Sequence, residues 1–253
     1  MTRIIMHGCN GKMGQVISGI VANDPETSIV AGIDISDHMD NPYPVYTRIE
    51  DLDVDGDVII DFSIASAVPT VLNYAKSRKI PLVLCTTGLT EEQIATVNEA
   101  SKEIAILLSA NMSLGVNLLL NLVKKAAKTL TGANFDIEIV EKHHNQKIDA
   151  PSGTALAFAD SINESLNHEY TYNYDRSTSR VKREGQEIGI HAVRGGTIVG
   201  DHAIIFAGQD EVVELHHSAL SKDIFAVGAV NAAKFLSQKC QGMYDMQNVI
   251  ENY

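Results

Sequence analysis

Through its first 112 residues the chain sets short, unbroken apolar runs between stretches of helical spacing. The runs at residues 4–6, 28–34, 58–62, 81–85 and 104–108 lack polar alternation, as strands buried on both faces do. Between them, residues 15–21, 65–78 and 90–102 read as helices. Pro69 falls where a first helical turn tolerates it, and Thr90 with Gln93 three residues later has capping-box spacing. Strand and helix in strict alternation predict a parallel, doubly wound sheet.

The pattern changes after residue 115. Residues 115–130 are a strongly apolar helix whose Lys124, Lys125 and Lys128 lie toward its C-terminal end, where the dipole favours cations. Residues 135–141 then alternate with period two, a half-buried strand that delivers His143 and His144 at its end. A helix begins near Ala155, and the polar stretch 167–186 reads as a loop and a candidate mobile segment. Residues 187–193, 197–206 and 211–217 alternate again, separated by the short turns 194–196 and 207–210, which predicts an antiparallel or mixed sheet. A last helix over 222–239 is expected to return to the first domain. The fold class is therefore α/β, with residues 1–112 and 222–253 as one doubly wound domain. Residues 113–221 form an inserted α+β domain, whose free sheet face or edge is a candidate oligomer surface.

Length and composition narrow the function. The 253 residues suffice for two modest cores, and 45% hydrophobic with 21% charged residues is an ordinary globular balance. Twenty basic against thirty-two acidic side chains leave a net charge of −12, which argues against nucleic acid or an anionic membrane as partner but not against a small anionic substrate. Cys9, Cys85 and Cys240 are too few and too scattered for a disulfide framework. The first residues run straight into a strand, with no room for a signal sequence, and no uncharged apolar run reaches the ~18 residues of a membrane span. A cytoplasmic protein is expected.

Two stretches carry chemistry. Gly8-Cys9-Asn10-Gly11-Lys12-Met13-Gly14 joins the first strand to the first helix, as in dinucleotide-binding units of Rossmann type, although its spacing is G-x-x-G-x-x-G rather than G-x-G-x-x-G. Asp34 ends the next strand twenty residues on, where a ribose-binding carboxylate is expected. Ligands of such sheets sit beyond the carboxyl ends of strands, so Cys85, Thr86, Thr87 and the turn Ser109-Ala110-Asn111-Met112 should line the crevice. Cys85 reads as a small residue ending a buried strand rather than a nucleophile.

The second stretch, residues 141–154, holds His143, His144, Lys147, Ser152, Gly153 and Thr154. The imidazoles can exchange protons near neutral pH, and Lys147 offers a cation or an acid. Ser152 or Thr154 can cap the following helix, whose unpaired N–H groups favour an anion such as a substrate carboxylate. Adjacent histidines on a strand point to opposite faces, and no zinc-type spacing accompanies them, so no metal site is expected.

These motifs, with Arg194-Gly195-Gly196, Gly200-Asp201-His202 and Phe225-Ala226-x-Gly228, closely resemble the 4-hydroxy-tetrahydrodipicolinate reductase (dihydrodipicolinate reductase) family over nearly the whole chain. The resemblance implies reduction of a cyclic imine dicarboxylate by NADH or NADPH on the route to diaminopimelate and lysine. It implies His143 as proton donor and acceptor, Lys147 as a second proton donor, and His144, Gly153 and Thr154 as substrate contacts. It also implies a homotetramer built through the second-domain sheets. Lys12 stands where many members have Arg, and Ile35 follows Asp34 where some have Arg, so NADH is expected to serve at least as well as NADPH. Cys85, Met112 and Lys222 replace a common Gly, Phe and Arg. Another Rossmann oxidoreductase and a catalytically silent dinucleotide sensor are the competing readings.

Overall fold

The structure, a computed structural model, describes residues 1–177 and 180–252. It divides into two compact units, Met1–Leu114 with a segment returning from Asp223, and Gly115–Lys222. The first unit opens with β1 (Thr2–His7), α1 (Lys12–Ala22), β2 (Thr27–Ile33), β3 (Val45–Tyr46), β4 (Val58–Asp61), α2 (Val68–Arg78), β5 (Leu82–Leu84), α3 (Glu91–Ala100) and β6 (Ala105–Leu108). Then come α4 (Leu114–Leu130), β7 (Asp136–His143), α5 (Gly153–Ser165), β8 (Thr171–Asn173), β9 (Glu187–Arg194), β10 (Gly200–Ala207) and β11 (Val212–Ala219). The chain returns through α6 (Asp223–Leu236), β12 (Gly242–Tyr244) and α7 (Met246–Ile250).

The first sheet has seven strands in the order β12-β6-β5-β4-β1-β2-β3, and every pairing is parallel. Its apolar runs are unbroken because alternate residues serve different cores. Ile4, Met6, Val58, Ile60, Val83 and Leu107 join Ile17 of α1 and Ala229, Ala233 and Leu236 of α6. Ile5, Ile59, Leu82, Leu84 and Ile106 join Val71 and Leu72 of α2 and Val97 of α3. The Thr90 capping box forms, Gln93 N–H donating to Thr90 Oγ1 at 3.2 Å and Thr90 N–H to Gln93 Oε1 at 3.0 Å. Lys234 of α6 closes on Asp24 at 2.6 Å and Glu26 at 2.9 Å, beside the start of β2.

The second sheet is mixed, in the order β11-β10-β7-β9-β8. Of the two expected arrangements, antiparallel or mixed, it is the mixed one. Only β10 and β11 form a hairpin; β7 lies between β9 and β10, parallel to the former and antiparallel to the latter. The turn after β9 instead wraps the end of β7, with Gly195 N–H donating to His143 O at 2.9 Å and Asn145 N–H to Gly196 O at 3.2 Å. Residues 167–186 are likewise not all loop, since β8 pairs in parallel with β9. Three residues are too few to show a period, and the strand forms because an edge is there to pair with. Arg183 pins the same stretch, reaching Asp136 at 2.7 Å and Glu138 at 3.0 Å. Thr178 and Ser179 lie outside the described residues.

One face of this sheet is a core: Ile137, Ile139, Ile188, Ile190, Ile204 and Phe206 pack with Val123 of α4 and Phe158 and Ile162 of α5. The other face carries Glu138, Lys142, His191, Asp201 and His216, with Val193 and Val212 exposed.

Candidate active site

In β7 the buried phase runs Ile137, Ile139, Glu141, His143, so the alternation that builds the core ends in an acid and an imidazole. Glu141 is fully buried, and its carboxylate is gripped from three directions. Arg194 at the end of β9 forms a two-pronged fork, Nη1 to Oε2 at 2.7 Å and Nη2 to Oε1 at 2.6 Å. The Ser152 amide donates to Oε1 at 2.9 Å, and His143 Nδ1 lies 2.6 Å from Oε2. Burial pushes Glu141 upward, but the Arg194 fork, the His143 ring and the Ser152 amide outweigh it and hold the carboxyl below its usual range. An ionised carboxylate only accepts, so His143 Nδ1 carries the hydrogen and Nε2 is the ring nitrogen turned away from Glu141. Nε2 lies beside Gly200, where an added Cβ would come to 3.1 Å.

Ser152 is the cap of α5, its Oγ accepting from Ala155 N–H at 3.2 Å. The same Oγ lies 3.1 Å from Nε2 of His202, whose ring stands edge-on to His143 with centroids 5.2 Å apart. Burial, then the neighbouring His143, pushes His202 down to about 4, so it is a neutral spacer at neutral pH. Gly153 opens the helix, and a Cβ there would meet nothing within 4 Å. Lys147 reaches Asp149 at 2.9 Å; that bond, with the Gly153 amide among the further causes, holds the Asp149 carboxyl below its ordinary value. The start of α5 and Lys147 thus already favour a carboxylate.

In the first unit the turn after β1 folds back on β2. Gly8 adopts φ +82°, and a Cβ would lie 2.5 Å from Phe62 O; at Gly14 one would lie 2.3 Å from Gly8 O. Cys9 is buried, its sulfur against Gly32 and 3.7 Å from Asn10 Oδ1. Asp34 accepts from Asn10 N–H at 2.8 Å and from Ile35 N–H at 2.8 Å, tying the acid to the glycine turn. Gly11 caps α1 without a side-chain bond; Lys12 is exposed and Met13 half-buried.

The other expected crevice residues follow β5 and β6, which are neighbours. Thr87 and Ala110 are exposed, whereas Met112 and Cys85 are buried. Ser109 Oγ donates to Asn111 O at 3.1 Å, and Asn111 Oδ1 accepts from Ser113 N–H at 2.9 Å. Thr86 departs from expectation: its side chain is buried and its hydroxyl donates to Asp61 at 2.6 Å. Burial, with Asp61 nearby, raises the Cys85 thiol well above its ordinary value, which removes it as a nucleophile. Among the described residues no group of three or more His, Cys, Asp or Glu side chains could hold a metal ion.

Gly8 to Met13 and Asp34 thus belong to one unit, and His143, His144, Lys147 and Ser152 to Thr154 to the other. Sequence reasoning missed Glu141, Arg194 and His202 as site residues. A signal existed for two of them: Glu141 and His202 occupy the phase that Ile139 and Ile204 hold in the same strands, where an apolar residue belongs.

The family model of the dihydrodipicolinate reductase N-terminus matches residues 2–112, and that of its C-terminus matches residues 115–250. The chain belongs to the dihydrodipicolinate reductase family. Among its relatives, 4-hydroxy-tetrahydrodipicolinate reductase of Caldanaerobacter subterraneus subsp. tengcongensis is 53% identical over 251 residues, 99% of each chain. That of Clostridium novyi is 47% identical over 252 residues, covering 100% of this chain and 99% of the relative. A solved, dipicolinate-bound dihydrodipicolinate reductase from Paenisporosarcina sp. TG-14 matches with a TM-score of 0.82 at 26% identity, covering 98% of this chain and 99% of that one. No helix among the described residues is long and apolar enough to cross a membrane.

Proposed function

We infer that this chain is a 4-hydroxy-tetrahydrodipicolinate reductase, reducing a cyclic imine dicarboxylate to tetrahydrodipicolinate on the route to diaminopimelate and lysine. The observation that carries this reading is the second unit's arrangement: an imidazole oriented by a carboxylate that Arg194 and the Ser152 amide at the start of α5 clamp, with Lys147 holding Asp149 just before that helix. Family membership over the full chain supports it.

The first unit fits a dinucleotide. Side chains at Gly8 or Gly14 would collide with backbone, and α1 begins without a side-chain cap, which leaves its first-turn amides for a diphosphate. When bound, the reduced nicotinamide supplies a hydride to the electron-poor ring of the imine. What the chain supplies is placement and a proton. Gly153, Thr154 and His144 hold the dicarboxylate at the start of α5, with Lys147 as a cation within reach. His143, its Nδ1 held by Glu141, delivers a proton from Nε2, and Lys147 is the second donor. A local positive field stabilises the negative charge that develops on the substrate.

NADH serves at least as well as NADPH in this reading. Asp34 repels a 2′-phosphate, and Ile35 beside it is 94% exposed and offers no cation. The uncovered face of the second sheet joins copies of the chain into a homotetramer.

Turnover of imine made in place from pyruvate and aspartate semialdehyde, compared between wild type and His143→Ala, tests the reading. Loss of kcat of about 10²–10⁴-fold with unchanged dinucleotide affinity is expected. Equal turnover would overturn the role of His143, and no turnover by either protein would favour a silent sensor.

A further inference from the structure

The first unit turns polar on one face where β1 and β4 end and just past β5, with His7 beside Asp61 and Thr86 two positions beyond Leu84, the strand partner of Asp61. Along β1, β4 and β5, the positions facing the core with α2 and α3 are Ile5, Ile59, Leu82 and Leu84. The next positions on that face are His7, Asp61 and Thr86, with His7 and Asp61 direct partners in the sheet. Asp61 is fully buried; its Oδ1 lies 2.6 Å from His7 Nδ1, and its Oδ2 accepts the Thr86 hydroxyl at 2.6 Å. The Thr86 hydroxyl donates to Oδ2, and His7 Nδ1 and Oδ1 share one hydrogen between them.

Stability alone does not account for this layer. A buried carboxylate with polar partners stabilises a core no better than aliphatic side chains of the same volume. Departures from local packing rules gather where function needs them. What the carboxylate does join is two turns. His7 leads directly into the Gly8 turn, and Thr86 leads into Thr87 and Gly88. β1, which ends at His7, and β5, which Thr86 follows, flank β4 on opposite sides, so Asp61 is the link between the two turns.

We propose that Asp61, holding His7 with one oxygen and Thr86 with the other, is a positioning residue of the dinucleotide site. It fixes the turn after β1 and the turn after β5 at one spacing, so that the diphosphate and the nicotinamide half meet preset partners. Thr86 acts as an anchor rather than a contact, and Thr87 is the exposed residue it presents. The proposal rests on the dinucleotide reading of the first unit given above.

The test is NADH affinity by nicotinamide fluorescence titration, with steady-state KM for NADH and for the imine, in full-length wild type and four variants. Thr86→Val and His7→Leu remove one donor each, whereas Thr86→Ser and His7→Asn keep one. The donor-free variants should raise Kd and KM for NADH on the order of tenfold and leave the imine KM unmoved. The donor-keeping variants should return near wild type. Unchanged NADH constants in both folded donor-free variants, or equal rises in both KM values, would overturn the proposal. Wild type that bound neither NADH nor NADPH would sink the dinucleotide reading itself, and this proposal with it.

Discussion

At the scale of single residues, the second unit shows how an imidazole is held in one orientation. His143 and Lys147 stand out in the sequence as candidates because their types and spacing are unusual for a loop. The clamp that orients His143 does not, since Arg194 and Glu141 lie 53 positions apart and meet only because β7 and β9 pair. Glu141→Gln keeps the volume but removes the charge that Arg194 and His143 Nδ1 answer, so kcat should fall by about 10–100-fold with the protein still folded, as steady-state kinetics would show. Lys147→Ala should cost turnover on the order of 10²–10⁴-fold, and a near-normal kcat would refute its role as proton donor. His202 ties stability to pH. Its ordinary value of 6.5 drops to about 4 on folding, so the unfolded chain binds more protons between those values. Stability is then full above about pH 6.5 and falls as pH is lowered toward 4, by on the order of 3 kcal/mol from this group. Chemical denaturation at a series of pH values should show that slope, and His202→Gln should flatten it.

At the scale of elements, hydrophobic pattern identified the strands of the first sheet up to β6 and the main helices, because long periodic segments report their own burial. It was silent on β3, β8 and β12, of two or three residues each, which exist because a neighbouring edge offers hydrogen bonds. It left antiparallel and mixed pairing open after β9, because a short turn does not reveal that β7 occupies the place between β9 and β10. The motif Phe225-Ala226-x-Gly228 was readable as a pattern, and the structure supplies its reason. A Cβ at Gly228 would lie 1.7 Å from Met112 O, so α6 packs directly on the turn that follows β6. Gly228→Ala should therefore destabilise the protein by about 1–3 kcal/mol, measured by denaturant titration. Unchanged stability would mean that the helix and turn are not in fixed contact.

At the scale of the whole molecule, the presence of two unlike sheets was legible because they announce themselves differently, as unbroken runs and as alternation. The uncovered face of the second sheet, with Val193 and Val212 exposed among charged residues, is where copies are proposed to meet. Wild type should then elute as a tetramer in light scattering, and Val212→Glu should shift it to smaller species; a wild-type monomer would contradict this. One measurement tests the reaction itself most directly. Purified protein is mixed with imine generated by the preceding synthase from pyruvate and aspartate semialdehyde, and loss of reduced-nicotinamide absorbance is followed with NADH and NADPH in parallel. Rapid oxidation that depends on the synthase, with NADH used at least as efficiently as NADPH, is the predicted result. No oxidation with either dinucleotide, although both bind, would contradict it.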